Sequence, residues 1–281
     1  MPGLAAPDAG SEHPWLAWWR SNRDIAHVSE AETLRSRAAY YGLVTRLDLL
    51  IGQILDTLER TGLGKDTLIV YASDHGEQLG ERGLWWKHTL YDESVKVPLI
   101  MSWPGRFPKG ERRAQVVNLI DLSATMLDAL GAPALPNGQG ISFLDAACDA
   151  RAPWIDRTVS EYCTDAVPAW TGGQAVQQRM IRSGAWKLIY YHGYRPQLFN
   201  LASDPHECDD LAEKPDHRGV RDRLLAELLA DWDPDAIAAS MAVRRKDKDL
   251  LGAWARSVRP ADQHRWNLEP EQNRLDDQAA E

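Results

Sequence analysis

Two short apolar runs, separated by a polar and glycine-rich excursion, restrict the fold of this chain more than any other feature. Thr67-Leu-Ile-Val-Tyr-Ala72 is rich in strand-forming residues, and Val97-Pro-Leu-Ile-Met-Ser-Trp103 repeats the pattern before Pro104-Gly105 ends it. Runs of this length, apolar at successive positions and bounded by turn residues, read as strands buried on both faces. Helical periodicity flanks them. Ser29-Glu-Ala-Glu32 has the form of a capping box. Tyr40, Val44, Leu47, Ile51, Leu55 and Leu58 then recur at three- and four-residue spacing, giving a long helix one apolar face that Gly62 closes. Asn118-Leu-Ile leads into a second helix around Leu122–Leu130, stopped by Gly131. Helix, strand, loop, strand, helix is the order of an α/β fold, with a mostly parallel sheet flanked by helices.

The texture changes after about Pro153. Thr158–Cys163 has strand character, Arg179–Arg182 and Ala185–Tyr191 flank a Ser183-Gly184 turn, and Gln197–Leu201 is a further short run. Strands joined by tight turns form antiparallel sheets. A helix is expected around Val220–Trp232, followed by a charged, partly helical stretch and a polar tail. The expected organisation is therefore residues 1–151 as an α/β portion and residues 152–281 as a smaller antiparallel α+β subdomain with helices and a tail.

Composition excludes several partners. The net charge is −9 and no basic stripe interrupts it, so nucleic acid is not an expected partner. An anionic substrate would have to be held locally, by a metal or a few placed cations. The three cysteines, Cys148, Cys163 and Cys208, lack the spacing of a disulfide framework or a zinc ribbon. A reducing, cytoplasmic setting is expected. Residues 1–10 show neither the basic nor the apolar segment of a signal peptide, and no run reaches membrane-spanning length. Aromatic usage is skewed to 12 Trp against 3 Phe. Most of these are expected to fill the core, although several flank the segment described next.

That segment runs from Tyr71 to Lys87 and begins where the first strand ends. In open α/β sheets, ligands bind beyond the carboxyl ends of strands. Asp74 and His75 are adjacent, and in regular strand geometry they would point to opposite faces. They can serve one ion only if the chain leaves the strand at Asp74, a turn that Gly76, Gly80 and Gly83 permit. A carboxylate with an imidazole suits a divalent cation of intermediate hardness such as Mn²⁺ or Zn²⁺, and Ca²⁺ is less obvious. Two such ligands are too few for a closed site. Alone, Asp-His-Gly after a strand is more often a turn with satisfied side chains. What strengthens it is order: strand, Asp-His-Gly, glycine-spaced loop, Lys87 between Trp85-Trp86 and His88, then Tyr91-Asp-Glu-Ser-Val-Lys-Val-Pro-Leu-Ile100.

This series resembles the sulfatases of the alkaline phosphatase superfamily, and within them the choline-sulfatase and phosphonate-monoester-hydrolase branch. The resemblance includes Arg37-Ala-Ala-Tyr-Tyr-Gly-Leu-Val-Thr-Arg-Leu-Asp48 before the first strand, then Trp103-Pro-Gly and Asp121-Leu-Ser-Ala-Thr-Met-Leu-Asp128. It continues through Ser183-Gly-Ala-Trp-Lys-Leu-Ile-Tyr190 and Gln197-Leu-Phe-Asn-Leu-Ala-Ser-Asp-Pro-His-Glu207, and so covers most of residues 30–215. It implies a partial alkaline-phosphatase-like sheet. It also implies Asp74 and His75 as ligands of one divalent ion, Ca²⁺ or Mn²⁺, and Lys87 as a contact to the sulfate or phosphonate. A cation and a lysine there would spread charge developing on the ester oxygens.

The family's first half is not represented. Its nucleophile is a cysteine in Cys-x-Pro-Ser-Arg or Cys-x-Ala-x-Arg, oxidised to formylglycine, and an earlier Asp pair adds metal ligands. In Cys148-Asp-Ala-Arg151 the arginine falls one position early. Ser102-Trp-Pro-Gly-Arg106 fits a serine variant, but matches this short arise by chance. The expectation is therefore the C-terminal portion of a metal-dependent sulfuric-ester hydrolase, inactive as this chain alone. Expected partners are a small anionic ester, a missing N-terminal half and, with less to fix it, a second copy of the chain. The alternatives are a non-catalytic binding or assembly module derived from a sulfatase, or a phosphonate or phosphodiester hydrolase of the same superfamily.

Overall fold

A computed structural model describes residues 12–22, 25, 27–165 and 176–259. The described residues up to Pro234 form one compact unit, and those from Asp235 to Arg259 belong to a second.

In the first unit, α1 (Pro14–Asn22) is followed by the long helix α2 (Glu30–Arg60). The capping box at its start is present: the Ser29 hydroxyl accepts from the Glu32 amide, and the Glu32 carboxylate accepts from the Ser29 amide. At its end Thr61 is the cap and Gly62 takes a left-handed conformation. Of the α2 side chains only Thr33 and Arg37 are buried. The apolar face anticipated for burial is largely open: Tyr40, Val44, Leu47 and Leu55 are exposed, Leu47 by 45%.

Strands β1 (Ile69–Ala72) and β4 (Leu99–Ser102) pair with each other, Val70 opposite Met101 and Ala72 opposite Leu99. Between them lie a short hairpin of β2 (Gln78–Leu79) and β3 (Trp85–Trp86) and the single turn α3 (Asp92–Val95). A mostly parallel sheet was expected from the order of elements, yet β1 and β4 run antiparallel. Parallel neighbours need a crossover that spans the sheet, typically a helix. This connection holds only a three-residue 3-10 turn (Glu81–Gly83) and the four-residue α3, too little helix to span the sheet, and the chain doubles back. One face of the pair carries Val70, Ala72, Leu99 and Met101, packed against Leu122, Phe143 and Ala146 from α4 (Leu119–Ala129) and α5 (Leu144–Cys148). On the other face Ile100 is 63% exposed.

The later strands form the antiparallel meander expected. β5 (Arg157–Tyr162), β6 (Gln178–Ser183), β7 (Trp186–Tyr191) and β8 (Gln197–Asn200) pair in chain order. Gly184 turns β6 into β7 at φ +56°, a conformation that costs a glycine little. Side chains alternate across the pleat. Ile181, Leu188 and Leu198 face α6 (Arg218–Leu228), meeting Leu224 and Leu228. Met180, Ile189, Tyr191 and Phe199 face the other way and enclose a core with Trp15, Leu16 and Trp19 of α1 and with Leu84, Leu90 and Tyr91. The loop that carries Asp74 thus supplies part of this sheet's core. In the second unit, α7 (Pro234–Val258) has no buried side chain among its described residues.

Candidate active-site loop

β1 ends at Ala72, and the chain leaves it through Ser73, whose hydroxyl donates to the His75 carbonyl at 2.8 Å. This local bond takes the place of a ladder partner and turns the backbone. The Asp74 carboxylate also accepts from the His75 amide at 3.0 Å. The turn places the two side chains side by side: His75 Nε2 lies 3.5 Å from Asp74 Oδ2. On the far side of the ring, His75 Nδ1 is 2.8 Å from the Gly76 carbonyl oxygen. A carbonyl only accepts, so Nδ1 carries a proton, and Nε2 is the ring nitrogen turned toward the carboxylate oxygen. Two electron-rich atoms at that separation call for a proton or a cation between them. Donors each about 2.1 Å from one ion, at tetrahedral or octahedral angles, stand roughly 3–3.4 Å apart. The observed 3.5 Å lies just above that range, a separation that suits the longer bonds of an ion such as Ca²⁺. The Asp74 side chain is 85% exposed and that of His75 39%, so the pair opens to solvent.

The pair is not a complete site. Among the described residues no group of three or more His, Cys, Asp and Glu side chains is arranged to hold a metal. Lys87 is exposed. Its position follows from the hairpin: Gln78 pairs with Trp86, which carries Lys87 back to the level of Glu77. Lys87 thus follows the strand end that pairs with the start of β2. Of its aromatic flanks, Trp85 is half-buried and Trp86 exposed, the latter with a left-handed backbone at φ +67°. His88 is held on Tyr162 of β5, with Nδ1 3.1 Å from the phenol oxygen.

Gly76 sets how closely the loop lies on α3. Its amide donates to the Ser94 carbonyl at 2.8 Å, and a Cβ there would stand 2.0 Å from the Glu93 carbonyl oxygen. No residue but glycine fits.

A buried charge cluster behind the loop escaped sequence reasoning. Lys187 Nζ lies 2.7 Å from both Asp92 Oδ1 and Glu207 Oε1, and the Lys187 and Glu207 side chains are fully buried. Glu207 Oε2 accepts from the Asp92 amide at 2.6 Å. Arg82 is ion-paired with Glu93, donates to the His206 carbonyl at 2.6 Å, and lies 4.0 Å over the Tyr91 ring. Burial pushes the Glu207 carboxyl above the ordinary range. For Asp92 burial acts upward too, but the Lys187 charge and hydrogen bond outweigh it and hold the carboxyl low. One signal was available: Lys187 sits on the same strand face as Ile189 and Tyr191, which is an inward position.

Known families match this chain over nearly its whole described length. The Sulfatase family matches residues 8–132, and the family of N-sulphoglucosamine sulphohydrolase C-terminal regions matches residues 80–232. The chain belongs to the sulfatase family. It is 35% identical to a choline-sulfatase of Rhizobium meliloti (strain 1021) over 225 residues, 76% of this chain and 41% of that protein. Against arylsulfatase K of Mus musculus it is 32% identical over 244 residues, covering 82% of this chain and 41% of the relative. The chain thus spans about two fifths of the length of these relatives. A phosphonate monoester hydrolase from Silicibacter pomeroyi superposes with a TM-score of 0.72 at 27% identity, over 82% of this chain and 50% of that one. BT1596, a 2-O GAG sulfatase, superposes at 0.69 with 23% identity over 88% of this chain and 53% of its own, which establishes the alkaline-phosphatase-like fold alone. Within that fold this chain combines helices with small antiparallel sheets among its described residues.

Proposed function

We propose that this sulfatase-family chain is the C-terminal portion of a metal-dependent sulfuric-ester hydrolase. Asp74 and His75 would be two ligands of a divalent ion, Ca²⁺ or Mn²⁺, and Lys87 a contact to the sulfate. In this assignment residues 1–151 are the C-terminal part of the catalytic α/β domain. Residues 152–281 are the small sheet with its helices and tail. The observation that carries the reading is the 3.5 Å approach of His75 Nε2 to Asp74 Oδ2 at the end of β1. When bound, the ion would draw charge from the ester oxygens as the bond to the leaving group breaks. The chain's own residues have simpler tasks. Asp74 and His75 present lone pairs to one point, and the Gly76 carbonyl fixes which imidazole nitrogen is free. Lys87 would bring a flexible cation to the sulfate.

Several features support a chain that works with further protein. Two ligands do not define a coordination sphere, and no residue of 1–281 stands in a formylglycine motif. The open apolar faces of α2 and β4 suit coverage by the remaining α/β portion. We place the protein in the cytoplasm because Cys148, Cys163 and Cys208 are all unpaired. No described helix is long and apolar enough to cross a membrane.

The test incubates the chain with Mn²⁺ or Ca²⁺ and p-nitrophenyl sulfate, beside an Asp74→Ala control. The expected result is no turnover above background from either. Metal-dependent hydrolysis that Asp74→Ala abolishes would show a complete enzyme and overturn the missing nucleophile. Mn²⁺ binding seen by calorimetry, weak and lost in Asp74→Ala, would support the ligand assignment.

A further inference from the structure

We propose that Lys187, Asp92 and Glu207 form a positioning lock through which the C-terminal sheet holds the Asp74–His75 turn in place. For the chemistry this rests on the ligand assignment above; the mechanical link stands on geometry. Lys187 projects from β7 into a core of Trp, Leu and Tyr side chains, where an unpaired ammonium would not persist. It meets Asp92, the first residue of α3, and Glu207, which also accepts from the Asp92 amide. Asp92 is therefore fixed at side chain and backbone by groups outside its own segment. The next residue, Glu93, is held by Arg82. The carbonyls of Glu93 and Ser94 then form the surface against which Gly76 packs, with the 2.8 Å bond from the Gly76 amide to Ser94. Gly76 directly follows His75, and its carbonyl accepts a hydrogen bond from His75 Nδ1. The path from sheet to turn is continuous: Lys187, Asp92, the α3 carbonyls, Gly76, His75.

The backbone adds a second observation. Arg82 and Glu207 both adopt left-handed conformations, at φ +54° and +52°. Residues with a side chain rarely do so unless their surroundings compel it. Both place their charged groups on α3, Arg82 on Glu93 and Glu207 on the Asp92 amide. A solvated pair of loops would relax out of such conformations. The buried charges hold them there.

The experiment follows amide hydrogen exchange by NMR in the full chain, with wild type beside Asp92→Asn. That substitution keeps the size of the side chain and leaves Lys187 paired with Glu207. The expected result is at least tenfold faster exchange at the Gly76 amide, with shifted His75 ring signals. Exchange at Leu188 and Ile189 in β7 should stay unchanged. A folded Asp92→Asn chain whose Gly76 exchange stays within twofold of wild type overturns the lock. If the variant does not fold, wild type alone decides. In graded urea the Gly76 and Asp92 amides should open together, and separate opening overturns the lock. A Mn²⁺ titration keeps the two ideas apart. Mn²⁺ that broadens no Asp74 or His75 signal removes the ligand assignment and leaves the exchange result untouched. Broadening with unaltered Gly76 exchange in Asp92→Asn removes the lock and keeps the ligands.

Discussion

The four-stranded sheet and the β1–β4 pair belong to one compact unit, yet they are built to different standards of closure. In the sheet, both faces are covered: α6 lies on one, and α1 with the motif loop lies on the other. Leu188, Ile189, Tyr191 and Leu198 lose all contact with solvent. In the β1–β4 region one face is covered by α4 and α5, while Ile100 and most apolar residues of α2 remain open. Apolar area removed from water contributes about 25 cal/mol per Å². The sheet collects that contribution within this chain, and the α2 face does not. Stability should therefore concentrate in residues 157–234, while the loop with Asp74 depends on being fastened to them.

The largest expected effect tests this difference directly. Leu188→Ala, at the centre of the sheet, should cost roughly 2–5 kcal/mol, because a fully packed site cannot collapse around the lost atoms. Urea unfolding followed by Trp fluorescence would measure it. A loss below about 1 kcal/mol would mean that the sheet is not the main source of stability.

The next effect depends on pH. His13 lies at the start of α1, stacked on Tyr191 at 4.3 Å, with Nε2 2.7 Å from the Arg195 carbonyl. Burial lowers its pKa from 6.5 to about 4, with the nearby Arg195 charge acting in the same direction and its backbone bond opposing. The folded state thus favours the neutral ring, and the unfolded chain binds the extra proton first. Stability should be unaffected by this group above about pH 6.5 and fall as pH drops toward 4, by about 3 kcal/mol in all. His13→Asn should flatten that slope in unfolding curves taken across the range. An unchanged slope would remove His13 as its source.

A smaller effect probes the joint between the regions. Asn118 caps α4, and its amide also donates to Thr158 Oγ1 at 2.9 Å and to the Val159 carbonyl at 2.8 Å in β5. Asn118→Ala should cost about 1–2 kcal/mol, the sum of a lost cap and orphaned partners. Asn118→Ser, which keeps a cap but cannot reach β5, should recover part of it and so separate the two roles. Equal losses in both variants would assign the whole effect to the joint.

The smallest change in stability is expected on α2. Leu47→Ser at this 45% exposed position should shift unfolding by less than about 0.5 kcal/mol. The same substitution should reduce binding of a dye specific for exposed apolar surface. A large destabilisation would show that α2 is already packed in this chain in solution, and the contrast between the regions would fail.

Much of this was legible in the residues. The Ser29–Glu32 box, the Gly62 stop, the Ser183-Gly184 turn and the strands on either side of it all depend on neighbours a few residues away. Local hydrogen bonds and torsional preferences decide them. The loop motif was legible as well, since Asp74, His75 and Lys87 appear in a fixed order with glycines between. The direction of β4 was not. An apolar run carries no mark of parallel or antiparallel pairing; that depended on a connection with too little helix to span the sheet. The exposure of the α2 face was not legible either, because periodicity shows which residues belong together and not what they pack against.

The sequence by itself determined the family, the order of elements and the residues that offer lone pairs and charge. Those properties reside in side-chain chemistry and short spacings. Only the tertiary structure decided that Asp74 and His75 face one another. It also decided that Lys187 is an interior cation shared by Asp92 and Glu207. Lys187 and Asp92 are far apart in the chain, and an ion pair 2.7 Å long exists only once β7 and α3 are packed together. Water screens each of those charges in the unfolded chain, and the folded core, having excluded the water, makes each one require the other.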